Sequence, residues 1–207
     1  MPAKPTRKKI KTPDSHMTSL EIFATFFTLI CVWLTVKRNV WCWPMGIIGV
    51  SAYFFVFIQN QLYADAGLQI LFLAQSIYGW YFWIYGKKET EDHVPVRRLT
   101  PREMLWTGAI ILVLIGLVGF LSKTFTNTDV AYLDATVASI SLVANLLLAR
   151  KIIDNWVLWI FVDVIYVGLF LYKELYLTAG LYVVFFFMSV SGLIQWRKAW
   201  LAERVSA

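Results

Sequence analysis

Charge is scarce in this chain of 207 residues: Asp, Glu, Lys and Arg together make up only 15 %. A soluble globular domain carries about 25 %, so the chain has too little charge to cover a large water-facing surface. Cysteine and histidine are scarcer, with two of each. Cys31 and Cys42 have no Cys-x-x-Cys spacing and no histidine beside them, which reads as packing rather than ligation. His16 and His93 lie in polar stretches. There is no His-Glu-x-x-His, no glycine-rich phosphate loop and no Ser/His/Asp spacing. Metal-dependent and hydrolytic chemistry lacks its usual residues, and no cofactor is expected. The formal net charge of +6 does not point to nucleic acid, because its sources are loops and tails, where positive charge sets membrane orientation.

What the chain has is long apolar runs. Hydrophobic residues make up 59 % and mean hydropathy is +0.63. The runs are of bilayer length, about 17–25 residues each. The expected fold is an all-α integral membrane protein with seven transmembrane helices, over roughly 19–36, 42–60, 66–85, 104–122, 131–149, 156–172 and 177–196. Polar breaks separate them. The long break from Gly86 to Arg102 carries Glu89, Glu91, Asp92, His93, Pro95 and Pro101, and reads as a solvated linker.

The same three-helix unit is written twice. Trp43 to Trp83 aligns with Trp156 to Trp196 without a gap, at an offset of 113 residues (156 − 43). Leu62-Tyr63-x-x-Ala66-Gly67-Leu68 falls on Leu175-Tyr176-x-x-Ala179-Gly180-Leu181; Ser76, Gly79 and Trp83 fall on Ser189, Gly192 and Trp196. The expected organisation is a basic tail 1–18, a first repeat 19–86, a linker plus connecting helix 87–130, a second repeat 131–200 and a tail 201–207. The single fourth span restores direction, so the two repeats run parallel about an axis along the membrane normal, with a substrate site near the midplane between them.

Lys37, Arg38, Lys87, Lys88, Arg97, Arg98, Arg102, Arg150, Lys151, Arg197, Lys198 and Arg204 follow the odd-numbered spans. Only Lys123 and Lys173 follow the even-numbered ones. The positive-inside rule then places the C-terminus in the cytoplasm and the N-terminus outside. The tail residues Lys4, Arg7, Lys8, Lys9 and Lys11 conflict with that orientation. Ser15-His16-Met17 resembles the join left at a cloning site.

Asp163 lies within an apolar span, where a carboxylate costs about 2.5–3.5 kcal/mol on insertion scales and marks a candidate site. Trp156, Trp159, Asp163 and Tyr166 are spaced to share one helix face. Two indoles above a carboxylate suit a flat cationic aromatic ligand. Trp156, at a helix end, suits an interfacial aromatic belt equally well. The matching helix offers Trp43 and Tyr53 but Val50 in place of the acid. The third span adds Gln75, Ser76 and Trp80. Asn145, nearer the cytoplasmic end, fits a gate or a loop cap. Glu21 and Asp134, also 113 apart, start their helices, where an acid favours the macrodipole.

Leu62-Tyr63, Ser76-Ile77-Tyr78-Gly79-Trp80-Tyr81-Phe82-Trp83 and Arg150-Lys151-x-x-x-Asn155-Trp156-x-x-Trp159 resemble the Pnu vitamin transporters, of the PnuC and PnuT type, over nearly all of 19–200. The resemblance implies a three-plus-one-plus-three arrangement of parallel repeats, like a full-length SWEET transporter. It also implies a homotrimer in the bacterial inner membrane and facilitated uptake of an unphosphorylated vitamin, trapped by a cytoplasmic kinase. Nicotinamide riboside members resemble Trp-x-x-Trp-x-x-x-Asn; here the last position is Asp163, which resembles the thiamine branch. An ionised carboxylate only accepts hydrogen bonds, whereas an amide also donates. Thiamine is therefore the expected substrate and nicotinamide riboside the alternative, with riboflavin and nucleosides also open. On the residues alone, a non-transporting scaffold or sensor and an intramembrane enzyme remain the other classes.

Overall fold

A computed structural model describes residues 19–86, 94–125, 131–172 and 174–205. The basic tail, His93, the acidic part of the linker and Lys173 lie outside them. The described residues form seven helices: α1 (Ser19–Val36), α2 (Cys42–Gln59), α3 (Tyr63–Tyr85), α4 (Pro101–Phe125), α5 (Ala131–Ala149), α6 (Asn155–Tyr172) and α7 (Tyr176–Val205). Glu21 and Asp134 sit in the first turns of α1 and α5, where their charge opposes the positive end of the helix dipole.

The sequence repeat reappears in the backbone. The bounds of α2 and α6 differ by the same 113 residues. The four non-glycine residues with left-handed backbone form two pairs at that offset: Arg38 (φ 57°) with Lys151 (φ 53°), and Gln61 (φ 60°) with Glu174 (φ 60°). Each closes a helix with the same long-reach bond. Asn39 N–H donates to Leu34 O at 2.9 Å and Ile152 N–H to Leu147 O at 2.9 Å; Leu62 donates to Phe57 at 2.8 Å and Leu175 to Phe170 at 2.9 Å. These are Schellman-type ends, which satisfy carbonyls that a helix otherwise leaves bare.

Helix neighbours run α1–α2–α3–α5–α6–α7 and back to α1, so six helices close a ring. α4 packs on α5 alone among the described helices and stands outside that ring. Gly119 makes room there for the Tyr132 ring. Within the ring, α2 approaches α1 closely because Gly46 and Gly49 carry no side chain: a methyl at Gly49 would lie 2.9 Å from Thr28 Oγ1.

Six of the seven helices are long and apolar enough to cross a membrane. The exception is α3, expected from sequence as a span. It has 23 residues, ample at about 1.5 Å each, but its tyrosines, Gln69 and Gln75 lower its hydropathy.

A second departure is the linker. Sequence alone makes it a solvated connection, yet its described part, 94–100, is docked. Val94 and Val96 are buried. Arg97 pairs with the α5–α6 turn through Arg97 N–H to Lys151 O (3.1 Å) and Ile153 N–H to Arg97 O (2.9 Å). Two valines flanking a proline suit an extended strip with an apolar face, and the charged residues around them conceal that pattern. Thr100 and Glu103 then form a reciprocal capping box that starts α4. A third departure is α7, which continues to Val205, so most of the expected C-terminal tail is helical.

Candidate functional site

Polar and aromatic side chains are arranged along the ring in three levels. The first is at the end where α1, α3 and α5 finish. Four tryptophans pack there in a chain: Trp43 against Trp83 (5.4 Å between centroids), Trp83 against Trp196 (6.0 Å), and Trp196 against Trp156 (5.6 Å). The order is symmetric under the repeat. Trp83 donates its indole N–H to Ala149 O at 3.1 Å, and Trp196 donates to Thr35 O at 3.0 Å. The ends of α3 and α5 therefore meet, as do α7 and the end of α1. Trp43 and Trp156 lie on glycines: a methyl at Gly79 would come within 2.3 Å of Trp43, and one at Gly192 within 2.5 Å of Trp156. Their indole nitrogens are buried without a hydrogen-bond partner.

This placement bears on Trp43 and Trp156 as ligand platforms. Trp156 is 2 % exposed, and its ring is enclosed by Gly192 and Trp196. Trp159, one turn further on, is only partly buried and touches both the tryptophan cluster and the apolar cluster of Val137, Ile140 and Val162.

The second level lies about 10 Å along α6 from Trp156, seven residues at 1.5 Å each. Asp163 is 4 % exposed, and its Oδ2 accepts a hydrogen bond from Ser189 of α7 at 2.9 Å. No lysine, arginine or histidine pairs with this carboxylate among the described residues. The first half differs at the matched positions. Val50 replaces the acid, and Ser76 turns its hydroxyl to its own helix, donating to Phe72 O at 2.8 Å. Gln75 joins α3 to α5: its Nε2 donates to Leu142 O at 3.1 Å, and its Oε1 accepts from Asn145 Nδ2 at 2.9 Å. Gln75 and Asn145 are thus brought together at the seam between the halves.

A size exchange adds to this asymmetry. Trp159 matches Gly46, and Cys31 matches Ala144, at the same offset. A methyl at Gly46 would lie 3.1 Å from Cys31 Sγ and 3.9 Å from Ser76 Oγ. At these two positions the first half has a glycine and a cysteine, and the second has an indole and a buried alanine.

The third level is aromatic. Tyr53 shares a 2.7 Å hydrogen bond with Thr25 and stacks on Phe57 (5.9 Å); Tyr166 stacks on Phe170 (5.6 Å). Tyr182 of α7 packs on both Tyr166 (4.5 Å) and Phe170 (5.3 Å). Sequence reasoning passes over Tyr182, whose matched residue is Gln69; its spacing of seven from Ser189 is the signal that places it on the same face. Trp80 is 38 % exposed and does not join the tryptophan cluster.

A ring of membrane-length helices with polar groups at mid-depth and an aromatic plug at one end is the architecture of a multi-pass solute carrier. The chain matches the family described as nicotinamide mononucleotide transporter over residues 18–198. It belongs to that family, the PnuC-type vitamin transporters. It is 29 % identical over 202 residues to the nicotinamide riboside transporter PnuC of Escherichia coli, covering 86 % of this chain and 84 % of that one. It is 27 % identical to the riboflavin/roseoflavin transporter RibM of Streptomyces davaonensis, covering 92 % and 89 %. A crystal structure of the vitamin B3 transporter PnuC superposes with a TM-score of 0.72 at 25 % identity, covering 92 % of this chain and 84 % of that one.

Proposed function

We propose that this protein is a facilitator for an unphosphorylated, flat, cationic vitamin, with nicotinamide riboside as its substrate. The carrying observation is the Asp163 carboxylate, buried, held by Ser189 and without a cationic partner among the described residues. A buried anion is costly unless it is paired. The pyridinium ring of nicotinamide riboside supplies that charge, and the half-buried Trp159 offers an indole to stack on it. The family relatives named for nicotinamide riboside support this reading over the thiamine expectation.

Thiamine remains the second reading, on one specific feature. Asp163 only accepts hydrogen bonds, and thiamine offers both an aminopyrimidine donor and a thiazolium charge.

The proposed cycle follows the repeats. As parallel halves, they rock about the ring axis, exposing the mid-depth site first outside and then inside. Net uptake then follows a cytoplasmic kinase that phosphorylates the vitamin, with no contact required. The basic turns favour a cytoplasmic position for the plugged end and an outside N-terminus, in a bacterial inner membrane. Assembly as a homotrimer accompanies this reading.

The test is titration of purified protein with nicotinamide riboside and, separately, thiamine, followed by calorimetry and tryptophan fluorescence. Saturable riboside binding supports the first reading, and thiamine binding alone moves the assignment to the second. Silence from both removes the two substrates.

A further inference from the structure

The strip 94–100 does more than connect the halves, because its contacts reach both of them at the tryptophan plug. Val96 packs into the cluster formed by Trp43, Trp83, Trp156 and Trp196. On the second half, Asp154 Oδ2 accepts from Leu99 N–H at 2.8 Å, and Asp154 Oδ1 lies 3.4 Å from Arg98. The buried Lys151 donates to Val94 O at 3.0 Å, with Nζ 4.6 Å from the centre of the Trp83 ring. Glu203, near the end of α7, accepts from Val96 N–H at 2.9 Å and in turn pairs with Arg38, in the α1–α2 turn of the first half, at 3.4 Å. Arg38 and Lys151 are the repeat-matched left-handed residues: the strip bonds the Lys151 turn directly and reaches the Arg38 turn through Glu203.

Opening this end means parting Trp83 from Trp196, the pair at the centre of the plug. Any motion that separates the halves there also strains the Glu203–Arg38 pair that links the strip to the first half, and unseats Val96 from the tryptophans. The orphaned indole nitrogens of Trp43 and Trp156 belong to the same cluster.

We propose that residues 94–100 form a latch across the plugged end of the ring, held by Lys151, Asp154 and Glu203, and that its release permits this end to open. This rests on the transport reading for its consequence, but the latch itself is measurable without a substrate. Cys42 is the reporter: it is buried among the same tryptophans.

The experiment uses the full chain in proteoliposomes on a Cys31→Ser background, at constant pH. The rate of Cys42 alkylation by a maleimide is compared among wild type, Glu203→Ala, Lys151→Met and Arg38→Gln. Arg38 is on the surface, so its variant keeps the test alive if a buried substitution prevents folding. Loss of one anchor, or of the Arg38 partner that ties Glu203 to the first half, should raise the alkylation rate by about fivefold, the change expected for a small loss of closed-state stability. Gly180→Ala, whose added methyl meets nothing within 4 Å and which lies sixteen residues before Trp196 on α7, should not raise it. Unchanged alkylation in all anchor variants that elute and fluoresce as wild type overturns the latch. If alkylation responds but neither nicotinamide riboside nor thiamine undergoes counterflow, the latch stands and the transport reading fails. If counterflow is normal and alkylation never responds, the transport reading stands and the latch fails.

Discussion

The Trp156 indole lies directly over Gly192, and a methyl group added to that glycine would fall 2.5 Å from the ring. Trp43 and Gly79 repeat the relationship at 2.3 Å. Each pair locks an even-numbered helix of the ring to the next odd-numbered one, α6 to α7 and α2 to α3.

Gly192→Ala should therefore destabilise the protein, because overpacking a filled site costs about 1–3 kcal/mol. Gly79→Ala should do the same in the first half. Gly180→Ala is the control: nothing stands within 4 Å of its added methyl, and alanine is the better helix former by about 1 kcal/mol. Thermal unfolding in detergent compares the three. Equal melting temperatures for Gly192→Ala and Gly180→Ala would show that the indole is free to move aside.

Gln75 and Asn145 form a direct amide–amide contact across the seam between α3 and α5. Replacing each with leucine, singly and together, should reveal positive coupling of about 0.6 kcal/mol, the average for such bonds between membrane helices. Chemical unfolding of the four proteins gives the cycle. Additive single effects would mean that the bond adds nothing to the seam, freeing Gln75 to serve a ligand.

Lys151 should give the protein a pH dependence at the basic end. Burial, reinforced by the nearby Arg38 charge and opposed by Glu203 and Cys42, pulls its ammonium down to about 8 from an ordinary value of 10.5. The folded state therefore holds fewer protons than the unfolded state between these two values, and stability rises with pH across that window. Below about 8 the ammonium is charged in both states, and its burial penalty is fully present. Wild type should gain melting temperature relative to Lys151→Met as pH increases from 8 towards 10. A constant difference between the two would place the ammonium in solvent.

The fold was largely legible because bilayer-length runs and a gapless repeat are long-range signals that no single substitution erases. The left-handed residues were not, since Arg38, Gln61, Lys151 and Glu174 stand where glycine usually marks such a turn. The docking of Val94 and Val96 was hidden for a related reason. An extended strip two residues apart in period carries little signal inside a charged linker, and its partner is the backbone of a distant turn. At the site, the mid-depth acid and amide were visible as polar residues in apolar helices. Their partners were not: whether Asp163 meets a serine, a tyrosine or a cation depends on which helix closes the ring beside α6.

That partner gives the last expectation its force. Ser189 satisfies one oxygen of Asp163, and no described side chain neutralises its charge. Asp163→Asn keeps an oxygen able to accept from Ser189, so the α6–α7 contact survives while the negative charge is lost. If the charge serves a cationic vitamin, affinity for nicotinamide riboside should fall at least about tenfold, or about 1.4 kcal/mol. Ser189→Ala keeps the charge and should cost less. The sharper measurement pits nicotinamide riboside against its dihydro form, which has the same ribose and carboxamide but no ring charge. Wild type should prefer the cation, and Asp163→Asn should lose that preference because only the electrostatic contribution differs between the two ligands. Equal preference in both proteins would make Asp163 a structural partner of Ser189, and the recognition of charge would then have to come from the aromatic face of Trp159 alone.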